Sequence, residues 1–369
     1  MKEYKVFAVN PGSTSTKIAL FRGKECLFSE NVAHDAAVLA RFETLADQMP
    51  YREKTILDIL AENRIDLSDC DAFVGRGGGM ISVEGGTYEI NDILLDHALH
   101  SGNGVIHPAL LAPPIALRFA RQYGKKAYVV NAPDTDELQD TARVTGIDGV
   151  YRKVHMHALN LKETAIQHSE THGARYEDCN YIVCHIGGGV SVSAHRKGRM
   201  VDGNDIVGGE GPMAPTRCGS IPVIDILDMI KNGTGYAELK GFTMKTGGFV
   251  SLLGTSDARE VTERIEKGDK KARLVWDTFI YQIEKAIGSM ACVLAGKVDG
   301  ILLGGGIVHS RELVDRITAD CGWIAPVFAY PGEFEMEAMA AGAIRVLSGK
   351  ESAREYTGVP SWTGFDFTE

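Results

Sequence analysis

Three short glycine-rich segments each follow an apolar run, and each is a turn of the kind that can hold a phosphate chain. The first, Asn10-Pro11-Gly12-Ser13-Thr14-Ser15-Thr16-Lys17, offers a glycine, four hydroxyls and one lysine. The second, Gly187, Gly188 and Gly189, follows Tyr181-Ile182-Val183-Cys184-His185-Ile186, and the third, Gly304, Gly305 and Gly306, follows Gly300-Ile301-Leu302-Leu303. Phosphate oxygens are held by backbone N–H groups that point into a concave loop, and only small residues let the backbone approach so closely. One such turn is ordinary in a hairpin. Three of them, spread through both halves of the chain, argue for a nucleotide. No GxxxxGK[ST] follows a strand and no GxGxxG opens a helix, so neither the P-loop nor the dinucleotide fingerprint applies. HExxH and GxSxG are also absent. Two loop arginines add an anion-binding capacity. Arg76 precedes Gly77-Gly78-Gly79, and Arg217 lies in Pro215-Thr216-Arg217-Cys218-Gly219. A planar guanidinium in such a loop can grip a carboxylate or phosphate with two parallel hydrogen bonds.

The elements that carry these turns repeat. Tyr4 to Phe21 and Tyr181 to Ala194 both read as strand, Gly/Ser turn, strand. A duplicated α/β unit with a cleft between its copies is the economical expectation. Residues 1–150 with 338–369 form the expected N-terminal domain, and residues 151–337 the expected C-terminal domain. Tyr51 to Glu62 reads as a helix with Ile56, Leu57, Ile59 and Leu60 on its apolar face. Asp71 to Gly75 reads as a strand that delivers Arg76, and Ala127 to Val130 as another. Further helices are expected from about His157 and over Glu335 to Leu347.

The chain has 369 residues, 44% hydrophobic and 24% charged, as in a soluble two-domain protein. Its formal charge of -10 disfavours nucleic acid, which needs a basic face. No run approaches the ~18 apolar residues of a membrane span, and the N-terminus lacks the pattern of a secretory signal. Seven cysteines are scattered without a CxxC pair, which suits free thiols in a reducing compartment. A cytoplasmic location is expected.

Asn10-x-Gly12-Ser13-x-Ser15-x-Lys17 resembles the first signature of the acetokinase family, whose members phosphorylate acetate, propionate or butyrate. The resemblance runs from Val6 to about Leu347. It is carried further by Val74-Gly75-Arg76-Gly77-Gly78, Gly85-Gly86-Thr87-Tyr88, Arg152-Lys153 with His157-Ala158-Leu159-Asn160, and Gly209-Glu210-Gly211-Pro212. Leu253 to Glu260 and Tyr330-Pro331-Gly332-Glu333 complete it, and the likeness is greatest to the butyrate-specific branch. The implied fold is a duplicated ribonuclease-H-like α/β fold, that of actin, heat-shock chaperone ATPases and sugar kinases. The implied reaction is reversible transfer of the ATP γ-phosphoryl to a short-chain or branched-chain carboxylate, giving an acyl phosphate and ADP.

The resemblance also implies roles. Arg76 and Arg217 match arginines at the acyl carboxylate and the transferring phosphoryl, His157 a histidine that hydrogen-bonds that phosphoryl, and His107 and His185 two further active-site histidines. Asn10 and Glu335 match the residues on the Mg²⁺ side, with Glu333 and Glu337 close enough for the register to slip. Gly12, Ser13, Ser15, Lys17 and Gly187 to Gly189 would lie along the phosphates, and Asp257, Arg259 and Gly304 to Gly306 beside adenosine. Gly78, Met156 and Gly208 stand where acetate enzymes place bulkier side chains, so a wider acyl pocket is expected. Each extra buried CH₂ contributes roughly 0.8 kcal/mol, which favours butyrate over acetate. The resemblance further implies that the first domain holds the acyl group and phosphates and the second the nucleotide, and that the second domain forms a homodimer or a higher homo-oligomer. The pattern breaks after His107, where Pro108-Ala109-Leu110-Leu111 replaces an expected asparagine. It breaks again at Asn131, where an acidic residue is expected; Asp136 matches a family Asp-Glu pair and Asp134 is its near alternative. An acetate or propionate kinase is the neighbouring reading. A non-kinase ATP-binding switch protein is the reading from another class, and it would lack loop arginines for a carboxylate.

Overall fold

The computed structural model describes residues 2–104 and 106–366; Met1, Val105 and residues 367–369 lie outside the described residues. The chain divides into two compact units. The first runs up to Asp136 and resumes at Phe334, and the second is Glu137–Glu333.

The first unit is built on six strands: β1 (Lys5–Pro11), β2 (Ser15–Arg22), β3 (Glu25–Ala33), β4 (Ala72–Gly75), β5 (Thr87–Glu89) and β6 (Lys126–Val130). Their order in the sheet is β3-β2-β1-β4-β6-β5. β1 and β2 form a hairpin in which Asn10 faces Lys17 across the ladder. β4 and β6 run parallel to β1, and such pairs require helical crossovers. Helix Ala112–Tyr123 supplies the one between β4 and β6. The core is aromatic at its centre. Phe7, Phe73 and Phe119 are fully buried or nearly so, with Phe73 stacked on Phe119 at 6.2 Å and Phe7 edge-on to it at 5.7 Å. Burying each such ring stabilises the fold by about 1.5–3 kcal/mol. Tyr356, in a tail without sequence periodicity, is also fully buried. Its hydroxyl accepts from Ile81 N–H at 3.1 Å and bonds His97 Nδ1 at 2.8 Å.

The second unit repeats the plan with β7 (Asn180–Ile186), β8 (Val190–Arg196), β9 (Arg199–Gly203), β10 (Gly300–Gly305) and β11 (Val327–Pro331), ordered β11-β10-β7-β8-β9. β7, β8 and β9 are antiparallel neighbours, and β10 and β11 run parallel to β7. Read from β9, this is the order and direction of β3-β2-β1-β4-β6. The chain therefore holds two copies of a ribonuclease-H-like sheet. The helix Lys270–Val293 covers the second sheet with Trp276, Phe279, Ile280, Ile283 and Ile287 buried. A helix lies against the parallel strands of each unit: Ala158–Thr171 on β7 and β10, and Glu335–Leu347 on β1, β4 and β6. The latter follows β11 in sequence yet belongs to the first unit.

One expectation for the first unit changes in detail. The helix is Met49–Glu62, and its buried stripe is Arg52, Ile56 and Leu60. Leu57, expected on the apolar face, is 42% exposed. Spacing of four residues selects one side of a helix, and Leu57 stands one step off it.

Candidate active site

In the first unit β1, β4 and β6 end at one edge of the sheet, where open α/β sheets place their ligands. β1 delivers Asn10. Gly75 ends β4 where a side chain has no room, since a Cβ would lie 2.6 Å from the Ala112 carbonyl. Arg76 follows, its N–H bonded to the Val9 carbonyl at 3.1 Å. Arg76 is 7% exposed, and its Nε donates to Glu335 Oε1 at 3.4 Å. Asn10 Nδ2 donates to Glu335 Oε2 at 2.7 Å. Glu335 opens the helix that packs on all three strands, and so is fixed at their edge. Asn10, Arg76 and Glu335 thus form one cluster. Neighbouring glutamates point elsewhere: Glu337 faces Cys26, whose thiol burial and then this carboxylate push up, and Glu333 lies in the second unit beside Gly187. Arg76 Nη1 is buried with no acceptor among the described residues, a condition that an added anion would relieve.

Gly12 N–H closes the β1–β2 turn on the Ser15 carbonyl at 2.7 Å, leaving Ser13 exposed, Ser15 half-buried and Lys17 exposed on β2. Gly78 has φ +151, a conformation reserved for glycine, and Ala109 Cβ lies 3.4 Å from where its side chain would begin. His107 is exposed and accepts from Ala109 N–H through Nδ1 at 3.1 Å, capping the short helix Pro108–Leu111. Asp134 and Asp136 are both buried in the segment after β6. Asn103 Nδ2 donates to Asp134 Oδ1, and Asp136 N–H bonds the Val83 carbonyl at 2.8 Å. Asn131 has a structural explanation. Its φ is +39, which asparagine tolerates. Its N–H bonds the Gly86 carbonyl at 3.0 Å, while its Oδ1 accepts from Gly86 N–H at 2.7 Å.

The second unit gathers a set of its own. His157 precedes helix Ala158–Thr171, whose N-terminal end favours negative charge. Its Nδ1 shares a 2.8 Å hydrogen bond with Ser191 Oγ, and its ring stacks on His185 at 4.1 Å. His185 is buried, with its Nδ1 3.5 Å from Asn160 Nδ2. Arg217 lies across the glycine turn: a Cβ on Gly189 would stand 1.6 Å from Arg217 Nη1 and 3.1 Å from His157 Cε1. The turn must be glycine for the guanidinium to lie where it does. The Arg217 loop is itself pinned, because Ala214 and Arg217 pair backbone to backbone and Thr216 Oγ1 donates to the Gly188 carbonyl at 3.0 Å. Arg217 Nε and Nη1 are buried without an acceptor among the described residues. Burial lowers its pKa, offset in part by Asp205.

A small pocket beside Arg217 is walled by Val190, Ile206, Pro212, Ala214 and Thr243. Met156 is buried against Gly203, where a Cβ would meet its Sδ at 2.3 Å. Gly208 N–H bonds Asp205 Oδ1 at 3.0 Å, and a Cβ there would come within 2.7 Å of Asp205 Oδ2. Gly208 therefore serves loop geometry whatever else it does. Behind this loop Arg152 bonds Glu210 and Asp202, both at 2.9 Å.

The Gly304–Gly306 turn meets the Gly187–Gly189 turn at the ends of neighbouring strands. Gly305 has φ +102, and a Cβ on it would fall 2.4 Å from the Ile186 carbonyl oxygen. Asp257 and Arg259 form an exposed pair, with Nη2 to Oδ2 at 2.9 Å, at the start of helix Ala258–Glu266. Such a pair adds little to stability, and it leaves a charged rim open to solvent.

Among the described residues no three His, Cys, Asp or Glu side chains converge on a metal position. Glu335 and the Asn10 amide are what the first unit offers. One carboxylate and one amide oxygen suit a hard cation that keeps its own waters and phosphate ligands. Ser191, Thr216 and Asn160 are site residues that the sequence reading missed. Ser191 carried a signal, since a hydroxyl between Val190 and Val192 in a buried strand demands a partner.

The family model described as the acetokinase family matches residues 148–320. A probable butyrate kinase of Clostridium botulinum (strain Alaska E43 / Type E3) is 43% identical over 355 residues, which are 96% of this chain and 99% of that protein. Its counterpart from strain Eklund 17B / Type B matches equally, at 43% over 355 residues. Among solved structures, Porphyromonas gingivalis acetate kinase superposes with a TM-score of 0.75 at 20% identity, covering 93% of this chain and 100% of that one. Entamoeba histolytica acetate kinase gives a TM-score of 0.71 at 18% identity, covering 92% and 99%. These two share the fold.

Proposed function

The chain belongs to the acetokinase family, and from that premise we propose that it transfers the ATP γ-phosphoryl to the carboxylate of a short-chain fatty acid, butyrate first. Family membership makes it a phosphotransferase with a carboxyl acceptor; the choice of butyrate rests on relatives at 43% identity that carry that name. The single observation that supports the chemistry best is Arg217, a half-buried cation held against Gly189 with two buried nitrogens unspent.

The reaction brings two anions together, so catalysis is positioning and charge neutralisation. A carboxylate oxygen attacks the γ-phosphorus as the bond to the β–γ bridging oxygen breaks, and ADP leaves. In this reading Arg76 holds the acid's carboxylate, and Arg217 takes the developing charge on the transferring group. His157, steadied by Ser191, hydrogen-bonds the same oxygens. Asp136 is assigned to the support of the metal side. The β1–β2 turn with Lys17 and the Gly187–Gly189 turn line the phosphates, with His185 behind the latter. Gly304 to Gly306, Asp257 and Arg259 border the adenosine, while Gly78, His107, Met156 and Gly208 border the acyl chain. Asn10 and Glu335 would hold Mg²⁺, which when bound neutralises phosphate charge.

A homodimer is part of the proposal. Helix Val223–Lys231 exposes Val223, Ile224, Leu227 and Ile230, 51–74% each, along one stripe, a surface that invites a partner. A cytoplasmic site of action suits ATP dependence and seven free thiols. Among the described residues no helix is long and apolar enough to cross a membrane.

The test is hydroxamate trapping of the acyl phosphate with ATP, Mg²⁺ and straight and branched acids from two to five carbons. Acyl hydroxamate should form fastest with butyrate or a branched C4–C5 acid, and chelating the metal should stop it. A clear preference for acetate would replace the butyrate assignment with the acetate kinase reading, and no hydroxamate with any acid would remove the acyl kinase altogether.

A further inference from the structure

Beneath the β1–β2 turn lies a cation that no role above uses. Arg52 is 0% exposed. Its Nη1 donates to the Ser15 carbonyl and to Thr16 Oγ1, both at 3.0 Å, and its Nη2 to the Ser13 carbonyl at 3.4 Å. Nε and Nη2 also share Gln48 Oε1, at 3.2 and 3.0 Å. Every acceptor is neutral, and among the described residues no carboxylate lies in ion-pair range of Arg52. The one titratable neighbour in hydrogen-bond contact with this group is His34, whose Nε2 meets Thr16 Oγ1 at 2.8 Å. Burial, and then Arg52 itself, lower His34 to about 4, so it stays neutral.

A buried guanidinium satisfied only by neutral oxygens is an expensive way to brace a hairpin, because its charge has lost water without gaining a counter-ion. The placement explains the expense. Arg52 binds the carbonyls of Ser13 and Ser15 from the inner side of a turn whose outer side, at Ser13 and Thr14, is exposed. Carbonyls held inward keep their negative ends away from an incoming anion, and the charge behind them adds attraction through a thin layer of low dielectric. We propose that Arg52 is the positioning residue of the nucleotide-phosphate turn, holding Ser13 and Ser15 in the anion-accepting conformation and supplying the counter-charge from beneath. The inference rests on the reading that this turn receives the phosphates of ATP. Arg52 touches no reacting atom, so it acts through the turn alone.

The experiment uses the full chain with three substitutions: Arg52→Met, which removes the charge, Arg52→Lys, which keeps it, and Gln48→Leu, which releases the guanidinium's anchor. Readouts are the KM for ATP, the KM for the acid, kcat, and the rise in Tm that ADP produces. Arg52→Met should raise the ATP KM about tenfold to a hundredfold, the loss expected for a charge-assisted contact. It should leave the acid KM within about twofold and sharply reduce the Tm rise produced by a fixed ADP concentration near the wild-type Kd. Arg52→Lys should recover part of the ATP KM. A merely structural Arg52 would lower Tm and the active fraction while leaving both KM values unchanged, and that pattern overturns the proposal. If Arg52→Met does not fold, Gln48→Leu decides: a raised ATP KM with a normal acid KM supports the proposal, and a normal ATP KM refutes it. The ADP-induced Tm rise needs no acid. A wild type that binds ADP but forms no acyl phosphate would therefore sink the kinase reading and leave the Arg52 result interpretable.

Discussion

Arg217 is the residue at which fold and chemistry conflict most openly. Stability alone would not place a guanidinium with two idle donors in a loop packed against glycine, since an unsatisfied buried cation costs more than an apolar replacement. Arg217→Ala should therefore lower kcat/KM at least about a hundredfold with every acid, about 2.7 kcal/mol of transition-state stabilisation. Its Tm should equal or exceed that of wild type. A large fall in Tm with matching loss of activity would make Arg217 a structural residue instead. Gly189→Ala probes the same contact from below. The added methyl would collide with Arg217 Nη1, the far end of a flexible side chain, so the guanidinium should yield before the fold does. Activity should drop at least about tenfold while Tm changes by no more than a few degrees. Unchanged kcat with Gly189→Ala would show that the guanidinium need not lie where it does. Arg217 stood out in the sequence as a loop arginine. Ser191, the partner of His157, signalled only that it needs a partner, because nothing local links residues 157 and 191 until helix Ala158–Thr171 packs on β7.

At the scale of elements, the β1–β2 hairpin was legible because its turn chemistry and strand pattern are both local. The helix Met49–Glu62 was legible as a helix, but its facing was not. Four apolar residues in a row of five (Ile56, Leu57, Ile59 and Leu60) outvoted one arginine, and only the contacts of Arg52 with the turn show why position 52 joins the stripe of Ile56 and Leu60. Asn131 stands where the family pattern has an acid, and it is a backbone device that mates with Gly86. The helix Val223–Lys231 has an apolar face that the second unit leaves uncovered. At ~25 cal/mol per Å², that face is costly to keep in water. Leu227→Asp with Ile230→Asp should convert a dimer into a folded monomer, as measured by sedimentation velocity at micromolar concentration. A wild type already monomeric under those conditions would contradict this use of the helix.

The molecule as a whole is one sheet plan used twice, β3-β2-β1-β4-β6 and β9-β8-β7-β10-β11. The duplication could be anticipated from two like hairpins, but the return of helix Glu335–Leu347 to the first sheet could not be read with its function. That return brings Glu335 to Asn10 and Arg76. Stability should also report on the interior of both units. His34 and His168 are each lowered to about 4, His34 by burial and Arg52, His168 by burial and His172, and His195 is lowered well below 6.5 by burial and Lys162. The unfolded chain takes up protons on these rings near pH 6.5, whereas the native state resists until about pH 4. Stability is therefore fully present above 6.5 and is lost as pH falls through that window. The denaturant midpoint should be lower at pH 5 than at pH 7, and equal midpoints would mean that these imidazoles are not buried in neutral form.

The most direct measurement is the rate of ADP release from ATP and Mg²⁺ with and without butyrate, using the wild-type chain. The acyl kinase account predicts negligible ADP without acid and a saturable rise on adding butyrate, matched one for one by acyl phosphate. ADP appearing at the same rate in both reactions would contradict it.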